Sequence, residues 1–203
     1  NLAVRLLLHR ASSVSGHCRG PTLAVPSSST FKVMSTEQGV IAFVEIPRGS
    51  RNKYEYDAEL DRIVLDRHLF TSTSYPADYG FILDTLGEDG DPLDALILVS
   101  EPTFPGCAIR VRPVGVFHMS DEKGPDEKVI CVPHKDPEWS GVNDVDDISP
   151  NYRNEIEHFF NVYKDLEDKK TETGGFGDRV EAERFIAEAR ERFAREGGGQ
   201  THP

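Results

Sequence analysis

The run Asp89-Gly90-Asp91-Pro92-Leu93-Asp94 sets three carboxylates within six residues, between a turn-rich stretch and the apolar, strand-like segment Leu93 to Val99. Their mutual repulsion calls for something positive nearby. Aspartate oxygens are hard ligands suited to Mg²⁺ or Mn²⁺, and Mg²⁺ takes few carboxylates while keeping positions for water and phosphate oxygens. The pattern therefore points to metal-dependent chemistry on a phosphate compound. By itself it also fits an acidic surface turn in which Asp caps backbone groups. A calcium loop of the helix-loop-helix kind is set aside, because Pro92 falls where that pattern needs alternating ligands, a glycine and a distal Glu.

A second acidic group, Asp121 to Lys128, joins two strand-like runs. Alone it reads as a solvated hairpin tip of mixed charge. Its ends matter more: Asp121 and Asp126 could face Asp89, Asp91 and Asp94 across the mouth of a barrel, and five converging carboxylates could hold several divalent ions. A third group is basic and phenolic: Lys53 with Tyr54, Arg67, Tyr75, Tyr79, Lys128 and Tyr163-Lys164. Each is ordinary alone, since Lys and Arg favour the surface and Tyr packs with its hydroxyl wet. Together, a few cations and hydroxyls among many carboxylates are what a multiply charged phosphate requires.

The elements that must position these groups are mostly strands. Val40 to Ile46, Lys53 to Asp57, Arg62 to Asp66, Leu93 to Val99, Cys107 to Met119 and Lys128 to Val132 are rich in β-branched and apolar residues and punctuated by Pro and Gly. Short strands at close spacing predict a small barrel or sandwich. Two helices follow. Ser149-Pro150 starts the first, with Tyr152, Ile156, Phe159, Phe160 and Tyr163 at helical spacing; Asp178 with Glu181 starts the second, with Val180, Phe185, Ile186, Ala189 and Phe193 as its stripe and Gly197 to Gly199 as its end. Asp168 to Gly177 between them reads as a polar loop, and the tail after Arg195 as frayed.

The chain has 203 residues and a formal charge of −12, enough for one domain with a real core. Four of its basic residues precede Met34, so the body carries 19 basic against 35 acidic residues, a net −16. Such a body repels nucleic acid and anionic lipid, and no apolar run is long enough to span a bilayer. Cys18, Cys107 and Cys131 are too few and too scattered for a disulfide framework or a zinc site, which fits a reducing, cytoplasmic-type compartment; Cys107 and Cys131 read as small buried hydrophobes in strands. Residues 1 to 33 hold no Asp or Glu, six serines and scattered Arg. That composition suits a transit peptide or upstream, vector-derived sequence ahead of a start at Met34; the opening Asn favours the second, and the segment is left out of the fold.

The stretch Asp89-Gly-Asp-Pro-Leu-Asp94-Ala resembles, position for position, the signature of the soluble family I inorganic pyrophosphatases of bacterial type. Further matching motifs follow in order: Val44-Glu45-Ile-Pro47, Asn52-Lys53-Tyr-Glu55, Leu65-Asp66-Arg67, Tyr75-Pro-Ala-Asp-Tyr79-Gly80, Arg112-Pro-Val-Gly115, Asp121 through Lys128, His158-Phe-Phe160 and Tyr163-Lys-Asp-Leu166. The similarity runs from about Val40 to Glu167. It implies Asp89, Asp94 and Asp126 as ligands of an activating metal, with Asp94 shared by a second, and Asp121 and Asp126 as ligands of the metal that arrives with substrate. Glu45 and Glu55 fall at positions around that cluster. Lys53, Arg67, Tyr79, Lys128, Tyr163 and Lys164 match phosphate contacts, and Asp91 the general base, with Asp126 second for that role. The chain departs from the family's Lys-Trp pair after Glu167, where Lys169-Lys170-Thr171 stands instead; Trp139 is the sole tryptophan.

The resemblance implies an α+β, mainly β fold: a small closed barrel of the five-stranded oligonucleotide-binding type, with extra strands and two C-terminal helices in a single domain from residue 34 to 203. It implies hydrolysis of Mg²⁺-bound pyrophosphate, Mn²⁺ or Zn²⁺ as substitutes, inhibition by Ca²⁺, a homohexamer and a cytoplasmic setting. Two rivals are weaker. A non-catalytic module binding calcium through the acidic loops gives Asp91 no reason to accompany Lys53, Arg67, Tyr79 and Lys164. A nucleotide or polyphosphate hydrolase lacks support from any glycine-rich phosphate loop or base-stacking pattern.

Overall fold

A computed structural model of the chain describes residues 39–121, 124–167 and 171–196. Its strands are β1 (Val40–Ile46), β2 (Asn52–Asp57), β3 (Arg62–His68), β4 (Asp78–Ile82), β5 (Asp94–Ile97), β6 (Ala108–Asp121), β7 (Gly124–Pro125), β8 (Lys128–Pro133) and β9 (Glu172–Gly177). The helices are α1 (Pro150–Val162) and α2 (Arg179–Arg195). Pairing runs β1-β4-β5-β8-β6 and returns from β6 to β1, so five strands close into a ring. All contacts in the ring are antiparallel except β5 with β8. β6 makes closure possible by its length. Its first residues pair with β1 while its later ones pair with β8, and β9 adds to its outer end. The β2-β3 hairpin stands apart as a second, two-stranded sheet.

Strand alternation feeds two cores. On β5 and β8, Leu96, Ile130 and Val132 point into a cluster with Ile156, Phe159 and Phe160 of α1. Ala95, Ile97, Val129 and Cys131 point the other way, into a cluster that reaches Ala182 and Ile186 of α2. The start of α1 follows the expected chemistry: Ser149 Oγ accepts from the Tyr152 N–H at 3.2 Å, with Pro150 at the first helical position. Rings along its buried face pack at 4.8 Å (Phe159 on Tyr75) and 5.3 Å (Phe160 on Phe117). Asp178 caps α2 by accepting from the Glu181 N–H at 2.8 Å. Its stripe is Ala182, Ile186 and Ala189, whereas Val180 is exposed, because position 180 lies on the opposite side of the first turn.

Two further expectations change, and strand β4 is additional to those expected. The segment read as a loop from Asp168 to Gly177 contains β9, and its hydrogen bonds come from pairing with Val116 to Ser120 rather than from local propensity. β4 was hidden by Pro76, Asp78 and Gly80, residues poorly suited to strands. Gly80 is required there by close approach: a Cβ would lie 1.9 Å from the Phe43 carbonyl oxygen of β1. Cys107 sits half-buried just ahead of β6, outside any strand, while Cys131 is buried in β8. Residues 1 to 38, Lys169, Lys170 and Gly197 to Gly199 lie outside the described residues, as does Asp168.

The Gly80 contact is with backbone, which cannot rotate away. Gly80→Ala is therefore expected to lower stability by about 2 kcal/mol or more, read as a shift of the urea midpoint at unchanged m-value.

Candidate active site

The acidic loop is braced from behind. Thr85, fully buried, donates its hydroxyl to the Ile82 carbonyl at 2.5 Å and accepts from the Leu93 N–H at 3.0 Å. The Leu86 N–H donates to the Ala189 carbonyl of α2 at 3.1 Å, and Arg192 donates to the Leu86 carbonyl. Inside the loop the Gly87 N–H donates to the Asp91 carbonyl at 2.6 Å, and Asp89 Oδ1 accepts from the Asp91 N–H at 3.1 Å. Gly90 takes the bend at φ +94°. Asp89 and Asp91 stand exposed at the tip, while Asp94, at the start of β5, is half-buried.

Asp94 is where the barrel concentrates charge. β5 and β8 are parallel with Ala95 opposite Val129, so Asp94 and Lys128 begin neighbouring strands at the same level. Lys128 Nζ lies 2.5 Å from Asp94 Oδ2 and also donates to Asp126, although its side chain is only 2% exposed. From the other side Tyr79 Oη donates to Asp94 Oδ2 at 2.6 Å. Burial alone would pull the Lys128 ammonium down, but Asp94 and Asp126 outweigh it and hold its pKa above the ordinary value. The Tyr79 phenol is pushed well up by burial and by the adjacent Asp94, and the Tyr163 phenol is pushed up by burial. Both therefore keep their protons. Asp121, the last residue of β6, meets Lys164 at 3.4 Å.

A second cluster lies on the β2-β3 hairpin. Lys53 pairs with Glu55 and with Asp66 (3.2 Å); Arg67 pairs with Asp66 and, at 2.8 Å, with Glu167. A bulge explains the crowding: Lys53 lies opposite Arg67 and Tyr54 opposite Leu65, which leaves Asp66 as the extra residue. Glu45 joins the two clusters electrostatically, since Asp94, Lys53 and Glu55 all act on its carboxyl. Burial, with Asp94 adding to it, pushes that carboxyl up to about 7 against the 2.7 Å bond from the Tyr56 N–H. Burial likewise raises Asp126, with Asp94 and Asp121 adding to it. Burial is the main reason these two carboxyls are held above their ordinary range. Among the described residues no three His, Cys, Asp or Glu side chains are gathered into a group that could hold an ion, and Lys128 bridges Asp94 and Asp126. The donors are nonetheless hard oxygens in excess of nearby cations, which fits Mg²⁺.

The sequence model of the inorganic pyrophosphatase family matches residues 42–194. The chain belongs to that family. It is 56% identical over 156 residues to the inorganic pyrophosphatase of Streptomyces coelicolor, covering 76% of this chain and 96% of that one. With the Leifsonia xyli inorganic pyrophosphatase it shares 60% over 144 residues, 70% of this chain and 88% of the other. The crystal structure of the Thermus thermophilus inorganic pyrophosphatase superposes with a TM-score of 0.76 at 42% identity, covering 84% of this chain and 97% of that chain. The closed mainly-β barrel with two helices is thus the fold shared with these pyrophosphatases.

Of the residues anticipated for a pyrophosphatase site, Asp94, Asp126, Lys128 and Tyr79 are brought together directly, with Asp121, Lys164 and Tyr163 beside them. Lys53, Glu55, Arg67 and Glu45 form the neighbouring cluster. Asp89 and Asp91 lie at the exposed tip of the acidic loop, where Asp89 Oδ1 accepts from the Asp91 N–H. Asp66 and Glu167 were not anticipated as site residues. Asp66 adjoins Arg67, but adjacent strand residues normally face opposite ways, so only the bulge reveals it.

Glu45 yields a test in metal-free protein. Its unfolded carboxyl titrates at about 4.5 and its folded one at about 7, so ionisation costs folded-state stability as pH rises across that interval. Glu45→Gln has no proton to lose. The variant should gain on wild type from pH ~4.5 to pH ~8 by up to about 3 kcal/mol in urea unfolding with chelator present; a constant difference over that range would show that Glu45 ionises normally.

Proposed function

We propose that this chain hydrolyses pyrophosphate to two phosphates as a Mg²⁺-dependent inorganic diphosphatase, with Mn²⁺ or Zn²⁺ able to substitute and Ca²⁺ inhibitory. The observation that carries the reading is the buried Lys128 held between Asp94 and Asp126 with Tyr79 on the same carboxylate, in a chain of the pyrophosphatase family. Asp89, Asp94, Asp121 and Asp126 would hold the metal, with Glu45 and Glu55 at its margin. When bound, Mg²⁺ neutralises phosphate charge and makes water a better nucleophile.

The chain's own residues supply the rest. Lys53, Arg67, Lys128 and Lys164 offer charged donors to phosphate oxygens, and the protonated Tyr79 and Tyr163 add neutral ones. Donors fixed by a rigid barrel stabilise charge that builds on the leaving phosphate without reorganising. Asp91 is the general base: at the exposed tip it can take a proton from water and pass it to solvent. Asp126 is the alternative base, favoured by its raised pKa, but Lys128 already occupies one of its oxygens.

The remaining expectations rest on the family. They are a homohexamer, for which exposed Phe70, Phe104 and Leu166 offer apolar surface, a cytoplasmic setting, and no nucleic-acid or membrane partner. Among the described residues no helix is long and apolar enough to cross a membrane. Residues 34–203 would be the pyrophosphatase domain and 1–33 an extension outside it.

Phosphate release from pyrophosphate with Mg²⁺ tests the activity; none with Mg²⁺ or Mn²⁺ would refute it. Asp91→Asn should lower turnover by about a hundredfold or more while leaving Mg²⁺ binding, followed by calorimetry, nearly unchanged. Full turnover in Asp91→Asn with loss in Asp126→Asn would move the base to Asp126. Calcium should suppress turnover, since its looser, larger coordination misplaces the water.

A further inference from the structure

Glu167 lies in the turn that follows α1, 100 residues from Arg67, yet the two side chains meet as a fork. Arg67 Nε donates to Glu167 Oε1 at 3.1 Å, and Nη2 lies 2.9 Å from Oε1 and 2.8 Å from Oε2. The Glu167 side chain is 9% exposed and that of Arg67 22%. Nη1, at the other end of the guanidinium, reaches Asp66, which also accepts from Lys53 at 3.2 Å. Glu167 therefore occupies the whole Nε–Nη2 edge, and what Arg67 can offer a substrate is its Nη1 end, turned toward Lys53.

We propose that Glu167 is a positioning residue for pyrophosphate binding: it fixes the plane of the Arg67 guanidinium so that Nη1 and Lys53 Nζ are presented together to one phosphate group. The proposal rests on the reading of Arg67 as a phosphate contact. An unsupported guanidinium on a half-exposed hairpin would sample several rotamers, and ordering it would be charged against binding. The bidentate pair removes that freedom beforehand. It also ties the hairpin carrying Lys53 and Arg67 to the turn carrying Tyr163 and Lys164, so two sets of phosphate donors keep a constant spacing. A carboxylate is the suitable holder because its two oxygens match the Nε–Nη2 edge; an amide offers one acceptor and an opposed N–H.

A double-mutant cycle on the full chain separates this role from that of a simple staple. Steady-state kinetics with Mg-pyrophosphate and thermal unfolding would be measured for wild type, Glu167→Gln, Glu167→Asp, Arg67→Gln and the Arg67→Gln/Glu167→Gln pair. Glu167→Gln should raise KM about tenfold with kcat changed less than about threefold. Glu167→Asp, one methylene short, should raise KM about threefold. In the Arg67→Gln background, Glu167→Gln should add less than about a twofold change, because no guanidinium remains to be positioned. The proposal is overturned if Glu167→Gln and Glu167→Asp keep the wild-type KM. It is equally overturned if the Glu167→Gln effect persists undiminished in the Arg67→Gln background, or if kcat and KM change only in step with lost thermal stability. A wild-type KM in Arg67→Gln would instead remove Arg67 from the phosphate site.

Discussion

Lys128 is a lysine with almost no contact with water, held by Asp94 on one side and Asp126 on the other. A buried ammonium is costly unless paired, and paired carboxylates this close are costly unless bridged by a cation. Each group makes the other tolerable, and both depend on β5 and β8 running parallel in register at the centre of the barrel. The remaining structure keeps that register. β6 spans the ring from β1 to β8, α1 lays its aromatic face over one core, and α2 braces the loop that leads to Asp94. The chemical site is thus a consequence of barrel closure rather than an addition to it.

The charge arrangement has a graded character. Near Asp94 the ammonium of Lys128 is buried between two carboxylates, while the loop tip with Asp89 and Asp91 is exposed. Glu55, Lys53, Asp66 and Arg67 on the hairpin and Glu167 in the turn after α1 alternate in a chain in which each cation touches two carboxylates. Glu45, between the two regions, has its pKa raised chiefly by burial, with Asp94 and Glu55 adding to it. A site that must receive both a multiply charged anion and divalent cations needs such a balance: enough fixed positive charge to orient phosphate, and enough uncompensated carboxylate to attract metal.

Much of the fold could be read from local pattern. β1 and β8 begin where β-branched runs begin, and α1 starts at the Ser149-Pro150 signal. The elements that escaped, β4 and β9, are short, are interrupted by Gly80 and by Gly174, Gly175 and Gly177, and pair with partners distant in sequence. Val180 was misplaced on α2 for a related reason, since the buried stripe is defined by the barrel surface it meets and is completed by the small Ala182.

The sequence by itself determined the chemistry available: hard carboxylate oxygens at Asp89, Asp91, Asp94, Asp121 and Asp126, a small set of cations and phenols, and a strongly acidic body. Those properties reside in side-chain types and short spacing. Only the tertiary structure decided which of them meet. Lys128 joins Asp94 because two strands are parallel in one register, Asp66 joins Arg67 because of a bulge, and Glu167 reaches Arg67 across 100 residues because α1 packs on the barrel. Such meetings depend on strand register and closure, which are set by the whole hydrophobic pattern at once and leave no mark at the residues they bring together.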